Sequence, residues 1–204
     1  MRQLIAVLIL ALTSTIVYAG DYEDGMAAGR KGDFTTAVEK FKLSGEKGHV
    51  QAQFTLGLLY GAGQGVQKNK SESVKWYRMA AEQGHAIAQY SLGMIYFEGY
   101  RELRNDEESY NWLRKSAEPG YGDAQLQLGL LYWLGRGVGQ SYKDAAKWYR
   151  LAAQQSNKDA QFLLGSMYVE GQGVLRDDKE GIRWIRLAAK QGHAEAQKML
   201  DLMR

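Results

Sequence analysis

The chain contains no cysteine and a single proline, Pro119, in 204 residues. The missing cysteine excludes disulfides and excludes a bacterial lipid anchor on an N-terminal cysteine, so the core alone must hold the fold. Past residue 20 there is no apolar run approaching the roughly 20 residues that a membrane-spanning helix needs. An excess of one charge sign is also missing. The 26 Lys and Arg against 23 Asp and Glu leave +3. Near balance argues against a nucleic-acid binder, which would carry a strong basic stripe.

The first 19 residues form a segment of their own. Met1-Arg2-Gln3 is positive, and Leu4 to Val17 is apolar apart from Thr13, Ser14 and Thr15. Val17 and Ala19 then place small residues at the −3 and −1 positions of a cleavage site, the form of a secretory signal peptide. The rival reading is a membrane anchor, but a 14-residue apolar stretch is short of a span. The expectation is a mature chain of residues 20–204 in the periplasm, with no membrane insertion once residues 1–19 are removed.

What the chain has in abundance is itself. Ala-Gln recurs at Ala52-Gln53, Ala88-Gln89, Ala124-Gln125, Ala160-Gln161 and Ala196-Gln197, a step of 36 residues. Leu56-Gly57, Leu92-Gly93, Leu128-Gly129 and Leu164-Gly165 keep that step, as do Tyr60, Tyr96, Tyr132 and Tyr168, and Trp76, Trp112, Trp148 and Trp184. A fixed period of this size marks a solenoid, whose units bury their faces only against neighbours. Within residues 50–85, Ala52, Leu56, Leu59 and Tyr60 have helical spacing. Gly61, Gly63 and Gly65 break that helix, Val66 plugs the turn, and Asn69 caps a second helix that ends at Gly84. Gly57 and its counterparts sit inside the first helix, where glycine costs roughly 1 kcal/mol relative to alanine. Close approach of a neighbouring helix would offset this. The units run 50–85, 86–121, 122–157 and 158–193. Residues 21–49 read as a degenerate first hairpin and 194–204 as a C-terminal cap.

The pattern A-Q-x-x-L-G-x-x-Y-x-x-G-x-G-V, followed by W-Y-R-x-A-A-x-x-G, resembles the Sel-1-like repeat family, a branch of the tetratricopeptide-like solenoids. The resemblance implies an all-α, right-handed superhelical solenoid of helical hairpins that acts as an adaptor or binding scaffold. Some bacterial members carry paired cysteines in each repeat, and one such group is linked to β-lactam hydrolysis; the absence of cysteine argues against membership there.

Candidate chemistry is sparse. His49, His85 and His193 share one turn slot, and hairpins stack on the order of 10 Å apart, whereas histidine ligands must lie ~2.1 Å from one ion. A structural turn role follows, with no metal and no cofactor. Glu98 and Glu170 share a slot two units apart, roughly 20 Å by the same stacking, too far for a paired-carboxylate mechanism, which needs ~5–9.5 Å. The Gly-x-Gly strings follow helices rather than strands and recur with the period, so they are turn glycines rather than phosphate loops. Arg78, Arg114, Arg150 and Arg186 recur likewise, and stacking explains them more simply than an anion ladder.

Departures from the period are the better guide to function. In tetratricopeptide-like solenoids the first helices line a concave groove. Phe97 and Trp133 occupy a slot that is Gly61 in one unit and Val169 in another, so the architecture does not require an aromatic there. Exposed aromatics in a groove are the expected form of a binding hot spot; the competing reading is that Trp133 and Leu134 close a local gap. The expected contact set is Phe97, Trp133 and Leu134 with Met94 and Leu130 one turn away, rimmed by Glu98, Arg101 and Glu170. Gly99 to Arg104 also breaks the turn pattern. The expected function is non-enzymatic binding of a protein partner, with an immunity protein against a type VI secretion phospholipase toxin as the specific candidate. The alternatives are a cell-wall- or β-lactam-directed enzyme and a general envelope assembly adaptor.

Overall fold

The computed structural model describes residues 20–99 and 104–203. The expected leader at 1–19, residues 100–103 of the irregular turn (with Arg101) and Arg204 lie outside the described residues. Among the described residues all regular structure is helical. Helix α1 covers residues 20–30. It is followed by α2 (Phe34–Glu46), α3 (Val50–Ala62), α4 (Lys70–Glu82), α5 (Ala86–Glu98) and α6 (Asp106–Ala117). Then come α7 (Gly122–Leu134), α8 (Tyr142–Gln154), α9 (Lys158–Glu170), α10 (Asp178–Lys190) and α11 (Ala194–Leu202). They form a solenoid of helical hairpins, and the chain divides into two compact units between Ala88 and Gln89.

In the unit up to Ala88, α3 packs on both α2 and α4. Its core is Val38, Phe41, Ala52, Leu56, Leu59 and Trp76, with Val66 packed against it as a turn plug. Asn69 caps α4, its side chain accepting from the Glu72 N–H at 3.1 Å. Gly57 has its reason in Tyr77. A Cβ at 57 would lie 2.5 Å from the Tyr77 ring, so the glycine is the hole that this side chain fills. Ser73 Oγ donates to the Gly57 carbonyl at 2.6 Å across the same contact.

The unit from Gln89 onward repeats this device. Gly93 receives Leu113, Gly129 receives Tyr149 and Gly165 receives Ile185. Helices α6 to α11 pack each on the next in chain order. One cluster centres on Leu113, Leu128 and Leu131, the next on Tyr149, Leu164 and Met167. Trp112 and Trp184 are buried. Trp148, which the period places with them, is only half-buried.

The shared histidine slot is a helix cap. Nδ1 of His49, His85 and His193 accepts from the N–H of Ala52, Ala88 and Ala196 at 3.1–3.2 Å, which satisfies one of the N-terminal donors a helix leaves open. Asn157 caps α9 in the same way, through its side-chain oxygen. The rings also stack: Tyr22 on His49, Phe54 on His85 and Phe162 on His193, with centroids 4.4–4.5 Å apart.

Candidate partner-binding face

Phe97 and Trp133 each lie in the last turn of a first helix, just ahead of a glycine with positive φ, Gly99 and Gly135. The left-handed glycine stops the helix and sends the chain into the turn, so the slot's side chain stands at the helix end.

Around Trp133 the turn is tightly tied. Ser141 N–H donates to the Tyr132 carbonyl at 2.9 Å, and Gln140 Nε2 donates to the Trp133 carbonyl at 2.8 Å. The indole meets the Tyr142 ring edge-on at 4.8 Å and packs against the cluster of Tyr149 and Leu164. Leu134 is 47% exposed. Leu130 and Met94 are half-buried, while Glu98 and Glu170 are exposed.

Phe97 is held differently. It packs on the cluster of Leu113 and Leu131, and the Arg136 guanidinium covers its ring at 4.1 Å. Arg136 Nη2 donates to the Phe97 carbonyl at 2.9 Å and Nε to Asp106 Oδ1 at 3.1 Å. Arg136 therefore clamps the end of α5 to the start of α6. The same hydrogen bonds from Arg136, aided by Arg104, hold the Asp106 carboxyl below its ordinary pKa.

The expectation of two open aromatic anchors thus needs correction. Both rings are half-buried, each against a different core cluster, because the hairpin seam takes up one face of each. The exposed apolar surface at this slot is Leu134, with Tyr142 (38% exposed) beside the Trp133 ring. Arg136 and Tyr142 were not among the expected residues. A signal for Arg136 was available: its slot holds Gln64 and Gln172 in other units.

In the arginine row, Arg150 finds its partner on the next first helix, whereas Arg114 finds its partners within its own helical segment. Arg150 donates to the Tyr168 hydroxyl of the following first helix at 2.5 Å, and Arg114 lies 5.8 Å from the Tyr110 ring. Tyr110 and Tyr132 share a hydroxyl hydrogen bond of 3.0 Å. Burial, helped by that bond, pushes the Tyr132 pKa up to about 12. Among the described residues there is no group of three or more His, Asp or Glu placed to hold a metal ion. No helix among them is long and apolar enough to cross a membrane.

The sequence profile of the Sel1 repeat family matches residues 50–85, 86–121, 122–157 and 158–193. Among solved structures, the chain is similar to c5321, a protective antigen of uropathogenic Escherichia coli with an SLR fold. Identity is 36% and the TM-score 0.84, over 88% of this chain and 39% of that one. The chain therefore spans about two fifths of the c5321 chain. It is also similar to a Sel1 repeat protein from Oxalobacter formigenes, at 33% identity and TM-score 0.83, over 89% of this chain and 76% of that one. Immunity protein PA5088 from Pseudomonas aeruginosa shares the fold at 23% identity and TM-score 0.51, over 85% of this chain and 67% of that one. No curated protein sequence matches.

Proposed function

Because the chain belongs to the Sel1 repeat family and is a protein-interaction scaffold, we propose that it is exported and binds one protein partner on the first-helix side of its second unit. Leu134 and the open face of Trp133 anchor the partner. Met94, Phe97 and Leu130 shape the contact, and Glu98, Arg101 and Glu170 select by charge. The partner is a toxin effector, a phospholipase delivered by type VI secretion, and the chain is its immunity protein. The observation that carries the reading is the exposed Leu134 beside a tryptophan in a slot the repeat does not reserve for an aromatic. The leader-like first 19 residues support export. PA5088 is an immunity protein by description, and that likeness supports only the compatibility of the fold with the role.

The test has two arms. Host cells lacking the chain are exposed to toxin-delivering kin, with and without the exported chain restored. Purified effector is then titrated with wild type and with the Trp133→Ala and Leu134→Ala variants. Protection is expected only with the exported chain, and loss of an anchor typically costs on the order of 2 kcal/mol, or ~30-fold in affinity. Unchanged survival, or turnover of nitrocefin or peptidoglycan by the purified chain, would overturn the reading.

A further inference from the structure

The second helices carry their charge unevenly. On α10, Lys179, Arg183, Arg186 and Lys190 follow one another at helical spacing and are all exposed. On α8 the same register holds Lys143, Lys147 and Arg150. On α6 it holds Glu107, Asn111 and Arg114, with Glu118 just past its end, and on α4 Ser71, Lys75, Arg78 and Glu82. A row needed for stacking would be basic in every unit; here only the arginine recurs.

Helices α8 and α10 are neighbours in the core, since Ala145, Tyr149 and Trp184 belong to one cluster. Their cations approach one another at Tyr168, whose hydroxyl accepts from Arg150 and which acts electrostatically on Arg183. The two rows are only partly neutralised locally: Lys147 pairs with Asp144 and Arg183 with Glu180, each at 2.8 Å. Beside α10 runs an open groove of about 570 Å³, with Leu187 among its lining residues, Lys179, Arg183, Arg186 and Lys190 along it, and the carboxylates of Asp177 and Glu180 lining it too. Leu151, the α8 counterpart of Leu187, is 43% exposed among its own cations.

We infer that this surface is a second docking site, separate from the first-helix face, and that it takes an acidic protein segment. Carboxylates engage the two basic rows and an apolar side chain enters the groove over Leu187. A flat anionic lipid surface would meet the cations but leave the groove unfilled, which favours a segment with both acidic and apolar side chains. The surface lies on the second helices and does not depend on the identity of the partner at Leu134.

The experiment uses the purified chain and a fluorescein-labelled peptide of repeated Glu-Glu-Leu triplets, read by anisotropy. Binding should weaken as salt is raised, since Debye screening shortens the reach of exposed charges to about 8 Å at 0.15 M. The triple variant Lys179→Glu, Arg186→Glu, Lys190→Glu should bind at least ~10-fold more weakly, about 1.4 kcal/mol. Circular dichroism should show its helicity intact. Lys75→Glu, in the same register on α4, should bind as wild type, and so should Leu134→Ala. Replacing leucine by serine in the peptide should also weaken binding. No binding at low salt, an equal loss from Lys75→Glu, loss from Leu134→Ala, or stronger attachment to phosphatidylglycerol vesicles than to the peptide would each overturn the assignment.

Discussion

The first two hairpins fill the same slots with different chemistry. In both, a glycine of the first helix takes a ring from the second: Gly57 takes Tyr77, and Gly25 lies against Phe41. In both, an aromatic stacks on the capping histidine that follows. The polar slot is where they part. Gln53 is buried, donates to the Gly45 carbonyl at 2.8 Å and accepts from Gln83 Nε2 at 2.7 Å. In the first hairpin Asp21 and Lys47 hold those places as an ion pair of 2.8 Å, joined by Lys40. Gln53 has the end of α2 before it, whereas no described helix precedes α1. The packing device repeats wherever two helices of a hairpin meet. The buried amide is used only where a preceding helix shields it, because a buried polar group must find its partners inside the protein.

The sharpest way to break this comparison is at the turn that seats the second hairpin on the first. Gly65 has φ +70°, and a Cβ there would run into the Phe34 backbone carbonyl, whereas Gly48 has φ +95° and open space. Gly65→Ala is expected to lose ~3 kcal/mol or more in urea unfolding, from left-handed strain of ~1–2 kcal/mol and overpacking of ~1–3 kcal/mol. Gly48→Ala should show the strain alone. Equal losses would mean that the turn does not seat the hairpin.

The polar slot comes next. Gln53→Leu removes the bonds to the Gly45 carbonyl and the Gln83 amide, which keep the Gly48 N–H (3.0 Å) and the Met79 carbonyl (3.3 Å) as partners, so the expected loss is about 0.5–1.5 kcal/mol per bond removed. Asp21→Asn should barely move the melting temperature, and high salt should erase what difference there is. A comparable loss at both positions would show that the end pair is as structural as the interior one.

Acid should weaken the His85 cap. Burial pushes the His85 pKa down, so the folded state binds a proton less readily than the unfolded chain, whose histidines titrate near ~6.5. Its contribution is complete above that value and is lost as pH falls through the lowered folded pKa. His85→Asn, the cap already used at Asn157, should keep the helix start and flatten the decline in melting temperature between neutral and mildly acidic pH. An unchanged slope in the variant would remove His85 as the cause.

The smallest expected effect is a gain. Ser156 has φ +63° at the position held by Gly84, Gly120 and Gly192 in other units. Ser156→Gly should relieve left-handed strain of ~1–2 kcal/mol, less roughly 0.5–1 kcal/mol for glycine's greater freedom when unfolded. A net increase in thermal unfolding temperature checks it.

The candidate site was legible only in part. Phe97 and Trp133 stood out because their slot varies where the repeat is otherwise strict, and Leu134 because it follows one of them. Their exposure was not legible. Arg136 reaches Phe97 from 39 positions further along the chain, and Tyr142 meets Trp133 from across a turn. The basic rows of α8 and α10 were visible as residues but not as neighbours, because their meaning depends on which helices share a core.

The 36-residue step by itself determined the hairpin class, the helix ends and the glycine holes, because a solenoid's contacts are local and each unit states the same rule again. Tertiary structure alone decided which side chain fills each hole, which histidine nitrogen caps each helix and which aromatics stay open. Those depend on side chains arriving from other helices, and periodicity specifies the register of a residue, not what covers it.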